Sequence, residues 1–256
     1  MSAPLISVDE LTMRFGGLTA VDHLSFDVSE GTIHGLIGPN GAGKTTTFNM
    51  ISGFYRPTGG RITFAGEPIS GLPMHEVARR GLVRTFQHST LFNELSVIDN
   101  VLVGTHMLFP PRLVAAILGR DGASRRAARE RAEEALSFFG LHHLADELAG
   151  ELPHGHQRAL GMAIATAARP RAVLLDEPFT GMNGEETRRM MELMRKLKAS
   201  GVTILIVEHD MQAIMGLCDS ITVMSFGRLL AEGTPAEIRR NPKVIEAYLG
   251  GTPHAA

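Results

Sequence analysis

The sequence is poor in cysteine, in net charge and in long apolar runs, and each shortage excludes a class of protein. Cys218 is the only cysteine of the 256 residues, so no intrachain disulfide can form, which suits a reducing compartment. The formal net charge of -2 gives no overall attraction to nucleic acid or anionic lipid. No apolar run approaches the ~18 residues that span a bilayer, and the N-terminus lacks the basic start and apolar stretch of a signal peptide. We expect such a protein to work at a membrane only by docking onto another protein.

The most informative segment is a glycine-rich run that matches the phosphate-binding loop pattern. It lies between residues 33–37, which predict a buried strand, and residues 45–52, which predict a helix whose N-terminal N–H groups point at an anion. We expect Lys44 to reach the β- and γ-phosphates of a nucleotide and the Thr45 hydroxyl to hold Mg²⁺. The alternative is a glycine turn without a ligand. The predicted nucleotide-binding residues here are Gly38, Pro39, Asn40, Gly41, Ala42, Gly43, Lys44, Thr45 and Thr46.

Two apolar strands later in the chain each end in polar side chains. Residues 173–175 lead into Asp176 and Glu177, and residues 204–207 lead towards His209. Ligands bind beyond the carboxyl ends of parallel strands, so we expect Asp176 to support hydrated Mg²⁺ and Glu177 to polarise the water that attacks the γ-phosphate. His209 is placed to orient that phosphate or water. Taken alone, each end is equally an ordinary strand end followed by a solvated turn, and the upstream loop favours the catalytic interpretation.

Hydrophobic patterning divides the chain into a core and an insertion. The predicted strands of an N-terminal, partly antiparallel sheet are residues 5–15, 24–28 and 61–64. From Ser96 the pattern becomes helical, and beyond about residue 169 strands and helices alternate, as in a parallel sheet covered by helices. We therefore predict a single domain over residues 1–256. Its two predicted parts are a nucleotide-binding core, residues 1–88 and about 169–256, and a helical subdomain, about 89–168.

These motifs, in this order, resemble the ATP-binding-cassette ATPase family, and the resemblance covers essentially the whole chain. It implies that the Phe15 ring stacks on adenine, with Val21 beside it. It also implies that Gln87 joins the metal and the attacking water to the helical subdomain. His209 matches the switch histidine of the family, and residues 179–183 occupy the place of its D-loop.

The fold class implied by the resemblance is α/β: a P-loop NTPase (RecA-like) core with an N-terminal antiparallel β-subdomain and an inserted helical subdomain. The implied cofactors are ATP and Mg²⁺. The expected metal-site residues are Thr45, Gln87 and Asp176, and the expected catalytic residues are Glu177, His209, Gln87 and Lys44.

The family signature, usually close to Leu-Ser-Gly-Gly-Gln, is altered here to the sequence LPHGHQR at residues 152–158. In the family this segment caps the γ-phosphate of an ATP held by the opposite subunit. Pro153 offers neither a hydroxyl nor a backbone N–H, so the resemblance leaves capping to Gly155 and the following helix N-terminus, aided by His156. One hypothesis is that protonation of His156 near neutral pH tightens the closed dimer. The alternative is that His154 and His156 are solvent-facing substitutions without a role.

Several segments resemble the ATP-binding subunits of branched-chain amino acid importers. They are residues 13–21, 107–122, 181–183 and 241–250. Urea, amides and other small acids are the alternative cargoes, and a soluble regulatory ATPase is a further alternative. The implied partners are a second ATPase subunit, identical or different, two transmembrane permease subunits and, indirectly, a substrate-binding protein. No nucleic acid partner is expected, and the implied location is the cytoplasmic face of the inner membrane.

Two observations bear on these partners. Residues 108–122 and the loop after Gln87 are candidates for contact with a permease helix, although the apolar part of the segment is equally able to pack on its own subdomain. The arginines between residues 125 and 131 alternate with glutamates at helix spacing, which favours a solvated helix face over a nucleic-acid patch.

A GTPase is disfavoured because the sequence has no Asn-Lys-x-Asp motif.

Overall fold

The computed structural model of the chain describes residues 3–85, 91–106, 108–109 and 122–249. Its strands are β1 (Ile6–Phe15), β2 (Leu18–Val28), β3 (Ile33–Ile37), β4 (Gly59–Phe64), β5 (Glu67–Pro68), β6 (Leu82–Arg84), β7 (Ala172–Asp176), β8 (Thr203–Val207), β9 (Ser220–Ser225) and β10 (Arg228–Gly233). Its helices are α1 (Lys44–Ile51), α2 (Met74–Arg79), α3 (Val97–Thr105), α4 (Gly122–Phe138), α5 (His154–Ala167), α6 (Gly184–Ala199), α7 (Met211–Leu217), α8 (Pro235–Arg240) and α9 (Pro242–Leu249).

A six-stranded sheet in the order β10-β9-β3-β8-β7-β6 lies at the centre of the described fold. The strands from β9 to β6 pair in parallel, and β10 is antiparallel to β9. Every residue of β3, β7 and β8 is buried, as expected for parallel strands covered on both faces. Along β8, Ile204 and Ile206 belong to one core cluster, whereas Leu205 and Val207 belong to the other. The predicted α/β fold class is confirmed.

The second sheet is antiparallel, with the strand order β2-β1-β4-β5. In its middle strand, Val8 lies opposite Phe26 of β2 on one side and opposite Ile62 of β4 on the other. Its buried side chains share a cluster with Phe48 of α1 and with one face of the central sheet. The helix that follows the glycine loop is therefore held between two sheets.

The strand β2 begins at Leu18, whereas the sequence predicted a strand only from residue 24. Leu18 pairs with Phe15 across a turn formed by Gly16 and Gly17, and Gly16 has a φ of 57°. Two-residue hairpin turns favour glycine because their backbone needs positive φ, and this turn continues the pairing into a segment without strong apolar alternation. The hairpin places Phe15 at its tip.

The helices α3, α4 and α5 form a layer on the other face of the central sheet and share a core cluster with α6 and α7. Ser96 caps α3, as its Oγ accepts a hydrogen bond from the Asp99 amide at 3.2 Å. On the outside of α4, Arg129 pairs with Glu133 at 2.9 Å, which fits the predicted solvated face. Among the described helices, none is long and apolar enough to cross a bilayer.

Candidate functional site

The glycine loop connects the end of β3 to the start of α1, as predicted. Gly43 is the N-cap of α1 and has a φ of 99°, a region that side chains disfavour. A Cβ atom at Gly43 would lie 2.6 Å from the Ala20 carbonyl oxygen, and one at Gly38 would collide with the Met224 carbonyl. The loop is therefore pressed against the neighbouring strands at both ends, and only glycine fits at these two positions.

The Lys44 ammonium lies inside the loop that precedes it. Its Nζ donates hydrogen bonds to the carbonyl oxygens of Gly38 at 2.7 Å and Pro39 at 3.0 Å. Burial lowers the pKa of Lys44, and the negative charge of Glu177 opposes that shift. Thr45 follows with an exposed side chain. The structure thus places a buried cation inside the loop and an exposed hydroxyl on the next residue.

Phe15, at the tip of the hairpin formed by β1 and β2, contacts a second aromatic ring. The Phe15 ring is 41% exposed and meets the Tyr55 ring edge-on, with their centroids 5.4 Å apart. Phe15 therefore presents a surface on which a base can stack. Tyr55 supports that surface, a role that the sequence did not reveal. Val21, expected beside the base, has no exposed surface and packs against the inner side of Gly43, so it supports the loop from beneath.

Asp176 ends β7 and forms a buried ion pair with Arg84 of β6. Arg84 Nη2 donates to Asp176 Oδ2 at 2.6 Å, and the two side chains are only 8% and 6% exposed. The other guanidinium nitrogen, Nη1, donates to Asn49 Oδ1 at 2.6 Å and to Ser52 Oγ at 3.1 Å. Arg84 thereby links β6, the end of β7 and the helix that follows the glycine loop. No sequence pattern predicted this pair, because its members are 92 residues apart.

Glu177 leaves the sheet in a strained conformation and lies near His209. Its amide donates to the Val207 carbonyl at 2.9 Å, and its φ of 47° is left-handed, which costs of order 1 kcal/mol for a residue with a side chain. The Oε1 atom of Glu177 is 3.9 Å from Nδ1 of His209, whose side chain is 61% exposed. The two groups that were expected to act on the γ-phosphate are therefore brought together.

A buried carboxylate, Glu208, lies directly behind this pair. Its side chain is 1% exposed, and its two oxygens accept hydrogen bonds from the backbone amides of Phe179, His209 and Asp210. Sequence reasoning assigned no role to Glu208. The only signal available was an acidic residue placed directly after a wholly apolar strand.

The altered signature lies at the start of α5. Pro153 is the N-cap of this helix and provides no side-chain hydrogen bond to it. The first backbone bond of the helix runs from the Gln157 amide to the Pro153 carbonyl at 3.0 Å. The amides of residues 154–156 precede that bond and point along the helix axis, which is the geometry that attracts an anion. A Cβ atom added at Gly155 would lie only 3.1 Å from Glu186 Oε1, so glycine avoids a close contact at this helix start.

His156 is half-buried and faces the interior rather than solvent. It lines a cavity of about 100 Å³ between α5 and α6, and its Nδ1 atom has no hydrogen-bond partner within the described part of the chain. Burial lowers the pKa of His156, as do Arg189 and His143, while Glu186 opposes them. This direction disfavours protonation near neutral pH, so it weighs against the hypothesis of a proton switch. The burial of its Nδ1 atom also argues against a solvent-facing side chain at position 156, whereas His154 is exposed, as that alternative expected.

Two sequence predictions fall outside the part of the chain that the structure describes. Gln87 lies between the described residues 85 and 91, and most of the segment 107–122 lies outside them as well. The closest described residue before Gln87 is Thr85, whose amide donates to the Leu174 carbonyl of β7 at 3.0 Å. The role of Gln87 therefore stays a prediction.

A glycine loop between a strand and a helix, with two carboxylates at the same edge of a parallel sheet, is the arrangement typical of P-loop nucleoside triphosphatases. The family model described as "ABC transporter" matches residues 21–180, and that described as "Branched-chain amino acid ATP-binding cassette transporter" matches residues 228–254. The chain belongs to the ABC transporter family, as one of its ATP-hydrolysing cassettes.

Curated relatives and solved structures agree with this placement. The chain is 48% identical to the high-affinity branched-chain amino acid transport ATP-binding protein LivG of Salmonella typhimurium over 98% of this chain and 99% of the relative. It is 46% identical, with the same coverage, to BraF of Pseudomonas aeruginosa, which carries the same description. The ATP-binding cassette MJ1267 in its ADP conformation superposes with a TM-score of 0.85 at 29% identity, covering 97% of this chain and 100% of that one.

Proposed function

We propose that this chain is the ATP-hydrolysing subunit of an importer for branched-chain or related hydrophobic amino acids. The names of LivG and BraF support the cargo, as does the family match to the C-terminal residues 228–254. The observation that carries the enzymatic part is the meeting of Glu177 and His209 at adjacent strand ends, beside the loop that contains Lys44. Cassettes of this kind do not touch the cargo, so urea, amides and other small acids remain the alternative cargoes.

Within the site, the loop amides and Lys44 hold the β- and γ-phosphates, and the exposed Phe15 ring stacks on adenine. Mg²⁺, when bound, neutralises charge on the phosphate oxygens. The oxygen donors that fit it are the Thr45 hydroxyl at the loop mouth and the Asp176 carboxylate at the end of β7, because Mg²⁺ prefers a few protein oxygens together with phosphate.

Glu177 then accepts a proton from the attacking water, and His209 orients the γ-phosphate or that water. Lys44 balances the negative charge that spreads over the phosphate oxygens. The start of α5, with Gly155, caps the γ-phosphate of an ATP bound by a second cassette, which is either a copy of this chain or a related subunit. Gln87 connects the site to the helical subdomain.

The proposal places this cassette at the cytoplasmic face of the inner membrane, held there by two permease subunits that receive cargo from a binding protein. The test is affinity purification of the tagged chain from detergent-solubilised membranes, followed by reconstitution of the complex into liposomes. ATP-dependent uptake of labelled leucine is expected. Lys44→Ala should abolish it, whereas Lys243→Ala, an exposed lysine of α9, should not. Uptake of urea or amides instead of leucine would overturn the proposal of a hydrophobic amino acid cargo. Purification without any membrane partner would favour a soluble ATPase.

A further inference from the structure

Glu208 is the first residue after β8, and its carboxylate bridges two loops. Its Oε1 accepts from the Phe179 amide at 2.9 Å. Its Oε2 accepts from the amides of His209 at 2.9 Å and Asp210 at 3.3 Å. Phe179 belongs to the loop that follows Glu177, whereas His209 and Asp210 start the loop that leads into α7.

The bridge lies where the strands stop pairing. The ladder between β7 and β8 ends at Asp176 opposite Val207, and a last main-chain bond joins the Glu177 amide to the Val207 carbonyl at 2.9 Å. Beyond that point the two chains diverge. In the described structure, the Glu208 side chain continues the cross-link that the main chain no longer makes, between the loop that begins at His209 and the loop that follows Glu177.

The Glu208 carboxylate also lies close to the ring of His209, the switch histidine. Nδ1 of His209 is 3.6 Å from Glu208 Oε2 and 3.9 Å from Glu177 Oε1. The His209 side chain is largely exposed, so the described part of the chain restrains it mainly through its own backbone and these two carboxylates. A group that fixes the His209 amide and the loop after Glu177 at once sets the distance between the two side chains.

We propose that Glu208 is a positioning residue for ATP hydrolysis, which holds His209 at a fixed distance from Glu177. This inference rests on the proposed function, because it assumes that Glu177 and His209 act on the γ-phosphate. Only a residue with two acceptor oxygens makes the bridge. A glutamine has one acceptor, and its NH₂ group would face backbone N–H donors at 1% exposure, so one loop would lose its partner.

The first test compares Glu208→Gln with Thr203→Val. Thr203 is a fully buried residue at the other end of β8, and its Oγ1 accepts from the Gly31 amide at 2.8 Å. Both variants remove a buried side-chain acceptor from a backbone N–H, but only Glu208 lies next to Glu177 and His209. We expect Glu208→Gln to lower kcat about 10- to 100-fold, since a misplacement of about 1 Å has that effect, while the Kd for ATP changes less than about twofold. Thr203→Val should lower the melting temperature and leave kcat unchanged.

The second test is a double-mutant cycle of kcat with His209→Ala. If Glu208 acts through His209, then Glu208→Gln should have no further effect, within about twofold, once His209 is alanine. Multiplying effects would overturn the proposal, as would an unchanged kcat in Glu208→Gln, or a loss of ATP binding in parallel with kcat. If Glu208→Gln does not fold, Glu208→Asp serves instead, because its shorter side chain cannot reach both loops. An unchanged kcat in Glu208→Asp would equally overturn the proposal. A silent His209→Ala would identify a different failure, that of the proposed function.

Discussion

Removal of Arg84 should destabilise the protein by far more than removal of a comparable surface arginine. Arg84→Met would leave the Asp176 carboxylate, 6% exposed, without the guanidinium that lies 2.6 Å away. Breaking a buried pair in this way costs about 3–5 kcal/mol, because the remaining charge stays out of water. The bonds to Asn49 and Ser52 are lost as well. We therefore expect the free energy of unfolding, measured by urea denaturation, to fall by about 4 kcal/mol.

Arg171 provides the matched control. It donates to Glu30 at 2.8 Å with both side chains about half exposed, and its guanidinium lies 5.9 Å from the Phe64 ring centroid. Arg84 also lies 5.8 Å from a phenylalanine ring centroid, so both arginines have an ion pair and a ring contact, and they differ in burial and in the bonds that Arg84 makes to Asn49 and Ser52. Arg171→Met should cost no more than about 1 kcal/mol.

A second arm separates charge from packing. Adding Asp176→Asn to Arg84→Met removes the uncompensated charge, so the double variant should be more stable than Arg84→Met alone. A loss in Arg84→Met no larger than in the Arg171→Met control would show that the buried ion pair is not a major source of stability, as would a further loss on adding Asp176→Asn.

Three further outcomes are expected. Burial lowers the pKa of His34 from 6.5 to about 4, so the unfolded state binds more protons than the folded state between those pH values. The free energy of unfolding should therefore fall by about 2 kcal/mol from pH 7.5 to pH 5. Equal free energies at both pH values in urea denaturation would contradict this. Gly43→Ala should lower the melting temperature more than Gly31→Ala. A Cβ atom at Gly43 would meet the Ala20 carbonyl, whereas a Cβ atom at Gly31 would meet no atom within 4 Å. Equal losses of melting temperature would contradict the close packing of the loop. Phe15→Ala should weaken ATP binding about tenfold and leave kcat unchanged at saturating ATP, and unaltered affinity would remove Phe15 from the adenine site.

The parts of the site that sequence predicted are those encoded by neighbouring residues. The strand Ile33–Ile37 has the predicted bounds, because an unbroken apolar run followed by glycines leaves few other structures. The helix after Asn183 belongs to the predicted alternation of strands and helices, and it has a local start signal, since Asn183 forms a capping box with Glu186. The meeting of Glu177 and His209 followed from a topological rule, since parallel strands present their carboxyl ends at one edge.

The missed features depend on packing between distant segments. Tyr55 reaches Phe15 only because the hairpin of β1 and β2 lies beside the end of α1. The half-burial of His156 depends on α6, which lies more than 25 residues later in the chain. The unpredicted helix α8 did have a local signal in the sequence. Its N-cap Thr234 precedes Pro235 and forms a capping box with Glu237, which is a recognisable helix start.

The most direct test of the central claim, that Glu177 activates the attacking water at this site, is single-turnover ATP hydrolysis by Glu177→Gln measured alongside ATP binding. The matched control is Glu185→Gln, which changes an exposed glutamate in the first turn of α6. Glu177→Gln should bind ATP within about twofold of the unmodified protein and hydrolyse it about 1,000-fold more slowly, while the control is unaffected. Hydrolysis by Glu177→Gln at the normal rate would show that Glu177 is not the base.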